Sequence, residues 1–202
     1  MNDIDRILEF WLEPKPRTVE ETAARWRYWF TSSDSVDRDI RERFGALVEK
    51  ARRGELEAWT ATPRGTLALL ILIDQFSRNL YRGTPDAFSA DERALAIARA
   101  GFASNRFSEF DVIDNLFAAL PFRHAENVEA QRVALDIAQR DALRGTPALK
   151  QFLVDSVEYA RKHYDVIARF GRFPHRNATL GRPTTTEETE YLAFLAFAGQ
   201  WL

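Results

Sequence analysis

Apolar residues recur at spacings of three and four along most of the chain, as in Ile40, Phe44, Leu47 and Val48, and in Val128, Val133, Leu135 and Ile137. That period places them on one face of an α-helix with polar residues opposite. No stretch alternates apolar and polar residues on both sides of an Asn-Gly or Asp-Gly turn, so no strand is predicted. The periodicity predicts helices near 3–12, 18–30, 35–53, 63–80, 89–102, 108–120, 126–143, 147–170 and 186–199, about nine in all.

The predicted starts carry their own punctuation. Thr18 with Glu21, Ser89 with Glu92 and Thr185 with Glu188 have capping-box spacing, in which a hydroxyl and a carboxylate satisfy free amides reciprocally. Thr62-Pro63 and Thr146-Pro147 pair an N-cap residue with proline in the first turn, where a missing N–H costs nothing. Gly54, Gly83 and Gly145 follow helical runs, as helix-ending glycines do. Short connections make successive helices antiparallel neighbours. The expected fold is all-α in one domain spanning 1–202, packed either as a compact bundle or as stacked antiparallel helical hairpins, with no strict 34-residue repeat to decide between them.

Composition agrees with a folded chain. Of 202 residues, 46% are hydrophobic and 29% charged, and fifteen Phe, five Tyr and five Trp supply large side chains for a core. The net charge of −2 gives no global attraction to nucleic acid or to an anionic membrane. The runs 67–73 and 191–198 are far shorter than the roughly 20 residues of a spanning helix. The absence of cysteine removes disulfides and thiolate chemistry, and with the acidic start Met1-Asn2-Asp3-Ile4-Asp5 it fits a cytoplasmic address.

Three polar segments are left unexplained by helix patterning. The first, Asp74-Gln75-Phe76-Ser77-Arg78-Asn79, follows the apolar run after Leu67. Asp74 and Arg78 stand four apart and share a helix face. The second, Pro121-Phe122-Arg123-His124-Ala125-Glu126-Asn127, joins two predicted helices and offers His124 and Glu126 as an acid–base pair. Glu126 would also suit a helix start, where negative charge is favourable. The third, Arg172-Phe173-Pro174-His175-Arg176-Asn177, lies in the longest non-helical stretch, about 171–185, and arrays donors for phosphate or carboxylate.

Taken together, Asp74, Gln75, Arg78, Asn79, His124, Glu126, Arg172, His175, Arg176 and Asn177 are the candidate ligand-binding residues. His124 and His175, with Asp74 or Glu126 orienting one of them, are the candidate acid/base residues. The only histidines, His124, His163 and His175, are a weak metal set without the dense spacing of a zinc motif. No Gly-rich phosphate loop, dinucleotide fingerprint or Gly-x-Ser-x-Gly setting occurs, and no cofactor is indicated. Three readings stay open: a binding module for a small anionic ligand or peptide, a hydrolase or transferase using histidine with arginine charge stabilisation, and a purely structural polar network. Oligomeric state has no signature.

These segments also carry a resemblance. Phe10-Trp11, Trp29-Phe30, Gly54-Glu55-Leu56, Asp74 to Asn79, Tyr81-Arg82-Gly83-Thr84, Pro121 to Glu126, His163, and Arg169 to Asn177 with Gly181-Arg182 resemble the mostly bacterial domain of unknown function 924. The resemblance covers nearly the whole chain and implies stacked antiparallel helices of the tetratricopeptide-like superfamily. It implies no activity, substrate or cofactor. Family members often carry serine where this chain has Ala125, so a hydroxyl nucleophile is unsupported at that position.

Overall fold

The burial pattern is organised by one helix that is apolar on all sides. From Gly65 to Ser77 every residue is buried, which is the signature of a helix surrounded by others rather than lying on a surface. The computed structural model describes residues 1–31 and 33–197. Among them there is no strand, and the chain is all-α.

The elements in order are α1 (Asp3–Leu12), α2 (Val19–Phe30), α3 (Asp34–Arg52), α4 (Pro63–Leu70), a π-helical turn (Ile71–Phe76), α5 (Ser77–Leu80), α6 (Asp91–Ala103), α7 (Val112–His124), α8 (Val128–Ala142), α9 (Lys150–Phe170) and α10 (Thr186–Phe197). Short 3-10 turns at Glu57–Ala61, Pro85–Phe88, Pro147–Leu149 and Pro174–Arg176 fill connections. The central rod of α4, the π turn and α5 packs against α1, α3, α6 and α7. The α7–α8 and α8–α9 pairs, joined by short loops, make the most extensive contacts.

Aromatic side chains seal the junction of these layers. Trp11, Phe44, Phe76 and Phe117 are fully buried, with Trp11 edge-on to Phe76 at 5.2 Å and Phe10 against Phe44 at 5.1 Å between ring centres. Trp29 donates its indole N–H to the Trp11 carbonyl at 2.7 Å, tying α2 to the end of α1. Truncating such a ring to alanine typically costs about 3–5 kcal/mol.

Several starts follow the sequence. Thr62 accepts the Gly65 amide at 3.1 Å ahead of Pro63. At α10 the capping box is complete: the Glu188 amide donates to Thr185 Oγ1 at 3.2 Å and the Thr185 amide to Glu188 Oε2 at 2.8 Å. Thr18 accepts the Glu21 amide, although Glu21 takes the Arg17 amide rather than that of Thr18.

Elsewhere the boundaries differ from expectation, each time for a local reason. The Ser89 start is displaced by the 3-10 turn at Pro85–Phe88; Ser89 Oγ donates to the Asp86 carbonyl, and α6 begins at Asp91. The helix expected to end near residue 120 runs through Pro121 to His124. Proline there removes one helical hydrogen bond, but the surrounding buried residues hold the turn. The next helix starts at Val128, capped by Asn127, whose side chain accepts the Ala130 amide at 2.8 Å, so Glu126 is not a helix-start residue. Of the expected last helix, residues 198 and 199 lie outside the described residues.

Candidate functional site

The π turn sets the geometry of the first polar segment. The Ser77 amide donates to the Leu72 carbonyl five residues back, and the widened turn carries Asp74 and Gln75, both buried. π turns of this kind are frequent at functional sites. Asp74 is the hub. Its Oδ1 receives His124 Nδ1 at 2.7 Å and Arg78 Nη1 at 3.1 Å, and the neighbouring Gln75 amide group donates to Oδ2. Burial alone would raise the Asp74 carboxyl; the charge of Arg78 and the bond from His124 outweigh it and hold the group well below the usual carboxylate range.

Arg78 reaches onward. It donates to the Asp74 carbonyl at 2.8 Å and grips both oxygens of Asp91 at 3.0 and 2.9 Å. Arg176 approaches the same Asp91 at 3.3 Å from the third segment. Its guanidinium lies between the rings of Phe88 and Phe173, 4.6 and 4.5 Å from their centres. Residues 74–78 and 176, far apart in sequence, are therefore joined through one carboxylate. Burial raises Asp91 to about 6, with Asp74 adding to the effect and the two arginines opposing it.

These groups back a cavity of about 580 Å³ between α2, α7, α9 and the central rod. Its aromatic lining is Trp26, Trp29 and Phe30 from α2, Tyr159 from α9, and Phe88. Its polar lining is Gln75, Arg78, Asn79, Arg82, Arg123, His124, His163, His175 and Arg176. No carboxylate lines it among the described residues; Asp74 and Asp91 sit behind the lining side chains.

The balance of charge is uneven. Arg78 and Arg176 share Asp74 and Asp91, and Arg82 pairs with Asp37, which also accepts from Asn79. Arg123 is buried and has no carboxylate partner among the described residues. Among the described residues its one side-chain bond is to Ser156 Oγ at 3.0 Å, and its buried Nε has no partner. Burial, unopposed by any counter-charge, lowers the guanidinium to about 10. Arg176 also falls to about 10, from burial and then the charge of Arg78, with Asp91 opposing.

The imidazoles feel the same field. His124 is lowered to about 4 by burial and then by Arg78, against the pull of Asp74. His175 falls to about 4 for burial and the charge of Arg176. His163, which bonds the Tyr159 carbonyl through Nδ1 at 2.8 Å, lies well below its ordinary value because it is buried and faces Arg123. All three rings are thus biased toward the neutral form. Among the described residues no three His, Asp or Glu side chains are grouped to hold a metal ion.

Part of the sequence-derived set lies elsewhere. Glu126, Arg172 and Asn177 do not line the cavity. Glu126 accepts the Phe173 amide at 2.8 Å and takes Arg182 on both oxygens, Nη1 at 2.5 Å and Nη2 at 2.9 Å. Burial would raise it, but these bonds hold it below its ordinary value. Arg172 grips both oxygens of Glu188 at 2.7 and 2.9 Å, and buried Asn177 donates to Glu188 at 3.2 Å while accepting from Arg182 at 3.0 Å. They clamp the 171–185 segment onto α10 and the α7–α8 turn. Arg123 and the α2 aromatics were missed as site residues. Arg123 sits within the second segment, but nothing in the local sequence says that a buried guanidinium lacks a counter-charge.

Comparison with known proteins agrees with this architecture. A family model described as bacterial protein of unknown function (DUF924) matches residues 7–194. The chain belongs to this family. A protein of unknown function from Agrobacterium tumefaciens, ATU0120, has a similar solved structure: 33% identity, a TM-score of 0.78, and coverage of 94% of this chain and 96% of that one. No curated protein matches. Among the described residues, no helix of this family member is long and apolar enough to cross a membrane.

Proposed function

We propose that this chain is a ligand-binding module, one domain over residues 1–202 and cytoplasmic, whose cavity takes a small organic monoanion with an apolar body. One observation carries the reading: of the four arginines that line the cavity, Arg78, Arg82 and Arg176 are met by the carboxylates Asp37, Asp74 and Asp91, and Arg123, held by Ser156 at the boundary with a second small cavity, is met by none. The remaining positive charge is on Arg123. A buried cation without a partner is costly, and a carboxylate of a ligand would complete it with charge-assisted hydrogen bonds. The aromatic side, Trp26, Trp29 and Phe30, supplies the apolar contact that such pockets use for the rest of a ligand. The same donors suit the terminal carboxylate of a short peptide.

Tryptophan fluorescence tests this directly, because Trp26 and Trp29 line the cavity. Benzoate should change the emission saturably and benzyl alcohol should not. In Arg123→Met the benzoate response should weaken at least tenfold. Equal responses to the acid and the alcohol, or an unchanged response in Arg123→Met, would remove the proposal.

A further inference from the structure

We propose that His124 is the general base of a hydrolytic centre in this cavity, positioned by Asp74, and that its substrate is a carboxylic ester carrying a second, ionised carboxylate. The inference rests on the anion-binding reading above and adds a reaction to it.

The geometry separates His124 from the other two imidazoles. His124 Nδ1 lies 2.7 Å from the carboxylate of Asp74, whereas His163 bonds a backbone carbonyl and His175 has no hydrogen-bonded orienting group among the described residues. Asp74 is kept ionised by Arg78 and Gln75, so Nδ1 carries the proton and Nε2 the lone pair. Nε2 has no protein partner among the described residues, and the ring lines the cavity with 17% of the side chain exposed. A carboxylate behind the ring can stabilise the imidazolium formed when Nε2 takes a proton; a carbonyl does so less well.

The charge balance selects the substrate. With one uncompensated guanidinium, Arg123, the cavity matches one negative charge, as on a carboxylate, and the reacting ester adds none. A phosphomonoester dianion would overfill it. In the reaction, a water oxygen attacks the ester carbonyl carbon while its proton passes to His124 Nε2, and the oxyanion forms beside the cavity guanidiniums. The bond from carbon to the alcohol oxygen then breaks, and the leaving alkoxide takes the proton from Nε2. The products are a carboxylic acid and an alcohol, with no co-reactant beyond water. The bound carboxylate also offsets the positive field that depresses His124, so substrate binding strengthens the base.

The test compares mono-4-nitrophenyl succinate with 4-nitrophenyl butyrate, which has the same acyl length and no charge, using the full chain and an equal concentration of free imidazole as reference. The expected result is at least a tenfold higher kcat/KM for the charged ester. His124→Asn should lower its kcat by a factor of about 100 or more. Asp74→Asn, checked for folding by circular dichroism, should lower kcat with KM unchanged, a split that a merely structural role would not give. Arg123→Met should raise KM for the charged ester alone. Unchanged turnover in His124→Asn, no rate above free imidazole while benzoate still binds, or preferential hydrolysis of 4-nitrophenyl phosphate would overturn the catalytic proposal. Loss of the benzoate response in the wild-type protein would overturn the binding reading as well.

Discussion

The cavity and the loop clamp are built from the same residue types and do opposite things with them. In the clamp, Arg172 and Arg182 each face a carboxylate with two bonds, Glu188 and Glu126, and Asn177 fills the remaining valences. In the cavity, Asp74 is shared by three donors and Asp91 by two arginines, while Arg123 has none. A satisfied network has nothing to offer a ligand. An unsatisfied one is a cost to the folded state that a ligand can relieve. The difference teaches that richness in arginine does not by itself distinguish the two regions; the local supply of carboxylates does, and the proposed binding function rests on that shortage.

The comparison is sharpened first at Asp74. Asp74→Ala leaves Arg78 and His124 without their buried acceptor and should cost about 3–5 kcal/mol, measured by urea denaturation. In the clamp, Arg182→Met should cost less, about 1–3 kcal/mol, because Glu126 loses its arginine but keeps the Phe173 amide and a partial path to solvent. It should leave the benzoate response unchanged; a lost response would show that the clamp and the cavity are one unit.

Acid should separate the two regions again. His124 is lowered from 6.5 to about 4, so between those values the unfolded chain binds more protons and stability is lost as pH falls from 6.5 toward 4. Buried His163 acts in the same direction. Asp91, raised to about 6, acts oppositely, its contribution being greatest below 3.8 and lost as pH rises through 6. Asp114 and Asp141, also raised by burial, act with Asp91, while His175 acts with the other imidazoles; the His124 contribution, on the order of 1 kcal/mol per pH unit, should lower the denaturation midpoint as pH falls from 6.5 to 5. His124→Gln should flatten that slope; an equally steep one would refute the assignment.

Thr185→Ala removes one half of the α10 capping box and should cost about 0.5–2 kcal/mol in the same assay. The smallest effect belongs to Arg123→Met. Because Arg123 is buried without a carboxylate, an apolar side chain of similar length should change stability by about 0.5 kcal/mol or less, or raise it. A large loss there would make Arg123 a structural residue and erase the contrast on which the functional reading stands.

How much of this was legible differs by level. Helix positions followed from periodicity and caps, and Thr62-Pro63 and the Thr185–Glu188 box worked as written. The π turn at Ile71–Phe76 and the continuation of α7 through Pro121 were not legible, since both violate local preference and are held by neighbours that come from elsewhere in the chain. Asp74 and Arg78 stood out because polar groups beside an apolar run need partners, His124 because an imidazole near a carboxylate can act as acid or base, and Arg176 because the long 171–185 stretch arrays donors. Glu126 stood out as the partner of His124, and Arg172 and Asn177 as part of the same donor array as Arg176, and the sequence had no means of separating them from the cavity residues.

The sequence by itself determined the all-α fold, because helical periodicity and end signals act over a few residues. It also determined that three polar segments must find partners, because buried polar groups cannot go unpaired without cost. Only the tertiary structure decided which partners they found. Pairing depends on close approaches between residues distant in sequence, 3.3 Å between Arg176 and Asp91 and 2.7 Å between Asp74 and His124. Whether an arginine is spent on a carboxylate or left facing a cavity is a count taken over neighbours in space, and that count exists only once the helices have packed.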